Sequence, residues 1–474
     1  VGTSYEHYKY ERLAGSREEF PSDALTDMEA GSTSGAGYTN GAGSSEYKML
    51  SYFARVNYTL MDRYLFEVNM RADASSRFHK DHRWGYFPSF SAGWRMSEES
   101  FMKDIEWINN LKIRASYGTL GNINNVGNYD YFQNYSSGNH YNFSDSPVIG
   151  IGESKPANET LGWEKVALTD IGLDFDIFNG LLGVTADYYI KNTSDILLGY
   201  NVPTETGITA APSQNIGKVK NTGFELALNH RNKIGAVNYS IGANIATNKN
   251  KITNLGGSDN IIQTSSYIVK YILKKGESIG SFYGFKTDGL YTQADIDAGH
   301  YYTLSGVVPN AGDIKFVPQR DIEYKQEITD EDRTILGKDV PDFTYGVNLS
   351  LQYKGFEFSM FGQGISGTKV AFDVYGVHPF YHGQDSPRKY HLKRWTEENP
   401  NPHAAYPRIY SASSVHTTYN RNFSDYHLFD SDYFRFKTLS LGYTVPSATV
   451  KNWGLQSLKV YVLSLIHISE PTRP

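Results

Sequence analysis

Between residues 341 and 361 the chain reads PDFTYGVNLSLQYKGFEFSMF, and this alternation restricts the fold more than any other feature. Phe343, Tyr345, Val347, Leu349, Leu351 and Tyr353 fall on one side of an extended strand. Asp342, Thr344, Gly346, Asn348, Ser350 and Gln352 fall on the other. Successive strand side chains point to opposite faces, so the stretch has one apolar wall and one polar wall. Lys354-Gly355 turns the chain, and Phe356, Phe358 and Met360 resume the apolar face. The polar wall carries no Val, Ile or Leu and is expected to face water. The apolar wall must meet a core or lipid. A hairpin of a soluble sandwich and a hairpin of a membrane barrel both satisfy this; recurrence of the pattern and the joins between strands decide.

The pattern recurs. Leu50, Tyr52, Ala54, Val56, Tyr58 and Leu60 alternate with polar residues, as do Tyr64, Phe66, Val68, Met70 and Ala72. Leu111–Tyr117, Ile171–Ile177, Leu182–Ile190, Phe224–Leu228 and Val237–Ile245 repeat it. With the opening and closing segments this makes about thirteen strands, each near the ~9–11 residues that a tilted membrane strand requires. The joins alternate in kind. Short ones fall at 61–63, 96–110, 178–180, 230–236, 354–355 and 446–457; long ones at 14–48, 74–84, 119–164, 192–218, 248–340 and 364–430. In an up-and-down meander every second join lies at the same end, so the long loops gather at one end. That is the layout of outer-membrane barrels, and a Greek-key sandwich gives no reason for it. Loops longer than ~15 residues are uncommon in compact domains and are usually functional.

Composition narrows the classes further. The net charge is −6 with no block of one sign, which gives no nucleic-acid surface. There is no Cys, so neither a disulfide framework nor a thiolate metal site exists. Mean hydropathy is −0.48, with no apolar run near the ~18 residues of a spanning helix. Barrel strands escape that criterion because their hydropathy alternates. The chain opens VGTSYEHYKYERL without a signal peptide, so the natural N-terminus is expected upstream.

Longer stretches carry a resemblance. RYLFEVNMRADASSRF (63–78), WGYFPSFSAGWRMSEESFMKD (84–104), LKIRASYGTLGN (111–122) and GWEKVALTDIGLDFDIFNGLLGVTADYYIKNTSDIL (162–197) resemble the SusC/RagA family of TonB-dependent outer-membrane transporters. So do NIGKVKNTGFELAL (215–228), SFYGFKTDGLY (281–291), DRTILGKDVPDFTYGVNLSLQYKGFEFSMFGQG (332–364), RWTEENPN (394–401) and DYFRFKTLSLGYTVP (432–446).

The resemblance implies an all-β, antiparallel up-and-down transmembrane β-barrel, present here in part: about thirteen of an expected 22 strands, the plug and TonB-contacting segment preceding Val1. Residues 1–463 would be the C-terminal part of the barrel. Residues 464–474, LSLIHISEPTRP with its leading Leu463, resemble a translated sequencing adaptor and are expected to be a non-native tail. The implied function is TonB-driven import of an oligosaccharide or peptide through the outer membrane of a Gram-negative bacterium. The implied partners are a SusD-like surface lipoprotein, the TonB complex and outer-membrane lipid. The alternative class is a secreted β-rich glycan-binding or adhesin module, which would bury Tyr345, Leu349 and Leu351 between two sheets.

No catalytic or cofactor-binding residue is assigned, and no enzyme activity is expected: H-E-x-x-H and Walker loops are absent. Many family members carry an acidic D-x-N-x-D-G loop before the DRTILG landmark. Here Pro318 stands at its first acidic position, its turn glycine is missing, and Asp330, Glu331 and Asp332 are expected as surface charge; no metal is assigned. His378 and His382 are four apart beside Pro379, against a helical metal pair. Adjacent Glu397 and Glu398 cannot face each other on a strand. Tyr129, Tyr131, Phe132, Tyr135 and Tyr141 sit in a long loop, where rings pack the loop on itself or meet substrate. The substrate-binding residues are left unassigned.

Overall fold

The computed structural model describes residues 1–32, 38–143, 146–199, 213–264, 268–373, 377–380 and 385–468. Thirteen strands follow one another in chain order in one sheet. They are β1 (Gly2–Arg17), β2 (Tyr38–Leu60), β3 (Tyr64–Ser75), β4 (Trp84–Arg95), β5 (Ile108–Asn122), β6 (Glu164–Ile177) and β7 (Leu182–Gly199), continuing with β8 (Ser213–Ile234), β9 (Val237–Thr247), β10 (Phe343–Tyr353), β11 (Phe356–Ser366), β12 (Tyr433–Thr444) and β13 (Lys459–Ile468). A short strand, Lys249–Leu255, pairs beside β8. In that order β1 and β13 are the first and last strands of the sheet.

Most joins alternate in length as expected, but 76–83 is shorter than 96–107 and 445–458, and several strands outrun their apolar alternation. β2 has 23 residues and β8 has 22. Backbone pairing continues through polar stretches such as Glu11–Arg17 against Tyr38–Ser44, because a ladder needs only N–H and C=O groups. The short turns carry positive φ at Met61 and Asp62, at Phe178 and Asn179, and at Lys354 and Gly355. Two consecutive left-handed residues match the twist of the flanking strands. β13 runs on to Ile468, whose pairing with Arg435 extends past the expected end of the wall at Leu463; residues 469–474 lie outside the described residues.

The chain divides into two compact units. The first comprises Val1–Trp94, Ala115–Thr169 and Lys191–Lys218. Its strands β2, β3 and β4 set Val56, Val68 and Phe90 in one cross-strand row. These side chains are 64%, 44% and 52% exposed, so no protein layer covers the apolar wall. One step along, Arg55, Asn69 and Ser89 form a polar row, and Arg55 bridges to Glu67. The buried core lies in the loops: Phe78, Val126, Leu161 and Trp163 pack around Phe87 of β4. The Trp163 ring lies tilted at 5.3 Å from Phe78 and edge-on at 5.4 Å from Phe87, and its Nε1–H donates to the Arg83 carbonyl.

The second unit comprises Arg95–Arg114, Asp170–Ile190 and Val219–Pro474. Across β8 to β12 the register places His230, Ile241, Leu349, Met360 and Leu439 in one row. Arg231, Ser240, Ser350, Ser359 and Ser440 form the next. Val347, Leu349, Leu351 and Tyr345 are half-exposed and belong to no buried cluster, and Leu173 is likewise half-exposed. The polar face holds an ion cluster in which Arg114 reaches Asp174 at 2.9 Å and Asp187 at 2.9 Å. A Cβ on Gly172 would sit 2.2 Å from Asp187, so glycine makes room for it.

Candidate functional site

The long joins 248–340 and 367–430 of the second unit fold into a lobe with its own core. Phe285, Leu290, Leu304, Ile314, Phe316, Ile328, Trp395 and Tyr419 form one buried cluster. Ile268, Val269, Phe282, Leu336 and Phe423 form another. Gly312 closes the first with φ +90, where a Cβ would lie 2.4 Å from the Trp395 ring. Burial pushes the Tyr291 hydroxyl up to about 12 and that of Tyr419 well above its ordinary value.

The acidic run resolves into a structural knot. Asp332 is fully buried, contrary to the expectation of surface charge for all three acids. Its carboxylate accepts from Arg320 Nε and Nη2 and from the backbone N–H groups of Gln319, Arg320 and Thr329. Burial would raise its pKa, but the Arg320 guanidinium and those amides outweigh it and hold it at about 2. Arg320 lies twelve residues upstream, so folding, not local spacing, creates the pair. Glu331 also meets Arg320, and Asp330 meets Arg333. Among the described residues, no group of three or more His or acidic side chains converges as a metal site would.

His378 Nε2–H donates to the Phe372 carbonyl, 3.1 Å away, and its ring lies 5.6 Å from that of His427. His382 lies outside the described residues. Burial foremost, aided by His378, depresses His427 to about 3, and its Nδ1 shares a hydrogen bond with Ser424 Oγ. Glu397 pairs with Arg408 rather than with an acid. In the first unit, Tyr131 and Phe132 pack at 4.2 Å, and the Tyr129 hydroxyl accepts from the Glu46 amide of β2, while Tyr129 and Phe132 stay 44% and 48% exposed. Tyr135 stays 64% exposed; the side chain of Tyr141 lies outside the described residues.

Two cavities open in the lobe, neither foreseen from sequence. One, of about 80 Å³, is walled by Phe372, Val377, Pro379, Tyr406, Ile409 and Phe429. Arg421 holds one wall in place by donating to the carbonyls of Pro379 and Phe380. The other, of about 760 Å³, has Asn248, Lys249, Glu277, Lys338, Lys369 and Asp430 among its lining. Asn248 Oδ1 is buried there without a hydrogen-bond partner. A two-stranded ribbon divides the cavities: Lys369–Ala371 pairs with Leu428–Asp430, setting Val370 against Phe429 and Lys369 against Asp430. Phe429 therefore serves the apolar cavity and its neighbour Asp430 the larger one. The arrangement can bind; Ser424 Oγ meets His427 Nδ1 at 3.1 Å beside it, but Ser424 is fully buried, and Ser278 of the G-x-S-x-G run 276–280 donates to Asn250 Oδ1 and the Ile279 carbonyl instead of meeting a base.

The TonB dependent receptor-like, beta-barrel family matches residues 2–463. TonB-dependent receptor P3 of Formosa agariphila is 32% identical over 424 residues, covering 88% of this chain and 40% of that protein. TonB-dependent receptor SusC of Bacteroides thetaiotaomicron is 34% identical over 318 residues, 66% of this chain and 30% of SusC. The RagAB peptide transporter structure superposes with a TM-score of 0.78 at 23% identity, over 99% of this chain and 49% of that one. The chain thus spans less than half the length of these relatives. With its antiparallel wall, mostly alternating joins and folded long loops, the chain belongs to the TonB-dependent receptor β-barrel family, in its SusC/RagA branch.

Proposed function

We propose that the full-length protein imports an oligosaccharide or a peptide across the outer membrane of a Gram-negative bacterium, energised by TonB. A SusD-like surface lipoprotein closes over the long loops, and no bond in the cargo is broken. The observation that carries this reading is the division of labour within the chain. The wall leaves its apolar rows without protein cover, as a lipid-facing barrel requires, while the long joins fold into lobes with cavities. The relatives are receptors and transporters rather than enzymes, which supports it further. A sandwich module would have buried the Val56, Val68 and Phe90 row. The test uses the full-length protein in its host. It should fractionate with outer membrane, migrate faster on gels when unboiled, and support cargo uptake that stops when TonB is deleted. Solubility without detergent, or uptake that survives TonB deletion, would overturn the reading.

A further inference from the structure

We infer that the cargo is a peptide, and that the small cavity of the lobe is the pocket for one of its aliphatic side chains; the inference rests on the importer reading above. Three observations lead there. First, the cavity has no hydrogen bonds to offer along much of its polar lining. Thr417 Oγ1 donates to the Ser411 carbonyl, Asn420 is engaged by Ile314 N–H and Asp313, Arg421 by two carbonyls, and Tyr426 by the Ala404 carbonyl. A sugar ring placed there would lose the solvation of its hydroxyls without replacement, which costs about 1–3 kcal/mol for each buried polar group left unmade. Second, size discriminates. An apolar cavity of about 150 Å³ holds benzene. At about 80 Å³ this one suits the branched end of Leu, Ile or Val, and is too small for a pyranose or an indole. Third, a larger cavity begins one residue away, at Asp430, and has Lys249, Glu277, Lys338 and Lys369 among its lining. An apolar pocket beside a trough with charged lining matches an extended peptide, whose side chains alternate with a backbone that carries an N–H donor at almost every residue. A pyranose has C–H faces that suit aromatic walls, but its ring exceeds the volume of this pocket.

The experiment uses the full-length receptor in detergent with its lid lipoprotein. The probes are hexapeptides of Gly, Ser and Asp carrying one Leu at each position in turn, their Ser counterparts, and a linear glucan hexasaccharide. At one position or more, Leu should bind roughly ten- to a hundredfold tighter than Ser, as burial of a Leu side chain implies. Trp at the same position should forfeit that gain. Ala405, which also lines the cavity, gives the variant: Ala405→Phe should erase the difference between the Leu and the Ser peptide. The peptide series on unmodified protein keeps the test valid if that variant fails to fold. Equal binding of Leu and Ser peptides at every position, a Leu preference that survives Ala405→Phe, or binding of the glucan alone would overturn the inference. Uptake separates it from the importer reading. TonB-dependent uptake without Leu preference removes the pocket and keeps the importer; Leu-selective binding without any uptake does the reverse.

Discussion

The wall and the lobe of the second unit obey opposite rules. In the wall, apolar side chains recur every second residue and remain exposed: Ile241 is 43% accessible and Leu441 53%. In the lobe, apolar residues follow no short period and are sealed: Phe285, Ile314 and Phe316 are at 0%. The difference lies in what each part is solvated by. A lipid-facing wall needs a periodic coat and no interior; a water-exposed lobe needs an interior and tolerates any spacing that folds into one.

That contrast can be broken from either side. The largest effect is expected from Phe316→Ala, which removes a fully buried ring from the lobe. A loss of about 3–5 kcal/mol follows, and it should stay local. Limited proteolysis should cut within 285–330 while the wall still migrates as a folded barrel. Loss of heat-modifiable migration would show that wall and lobe are one cooperative unit. Next comes a charge placed on the two faces of β10. Val347→Arg sets a cation on the apolar row, at about 2–4 kcal/mol near the bilayer midplane, and should reduce the outer-membrane fraction. Asn348→Arg, one residue on, should be close to neutral. Equal effects of the two would refute the assignment of faces.

The smallest effect, about 1 kcal/mol at pH 6, is mild-acid sensitivity. Burial keeps His427 neutral, with a folded-state pKa of about 3 against about 6.5 when unfolded. Between those values the unfolded chain binds a proton that the folded lobe refuses, so lobe stability falls as pH drops below ~6.5 and stops falling near 3. Hydrogen exchange around 420–430 should quicken over that range, and His427→Gln should flatten the response. An unchanged pH profile in the variant would assign the effect elsewhere.

The same contrast explains what the sequence disclosed. The wall was legible because alternation is a local code: the strand number and most of the long–short parity of the joins follow from neighbours in sequence. Strand ends were misjudged where alternation stops but pairing does not, as in β8, which begins at Ser213 and not after Lys218. The lobe was not legible, because its contacts join residues far apart. Phe316 meets Tyr419 at 5.2 Å, and Asp313 meets Asn420, with nothing local to announce either pairing. Asp332 was misread for the same reason: its partner Arg320 arrives only with the fold. The cavities lie between such segments, so no motif marked them.

The unbroken ladder of β1 against β2, from Gly2–Phe53 to Arg17–Tyr38, has a mechanical consequence. At ~3.3 Å per residue, β2 is more than twice as long as a tilted crossing of a bilayer demands. The surplus is a stiff two-ply mast and not a slack tether. Whatever leans on its tip is held at a fixed height, and a push there is passed down the ladder into the barrel staves.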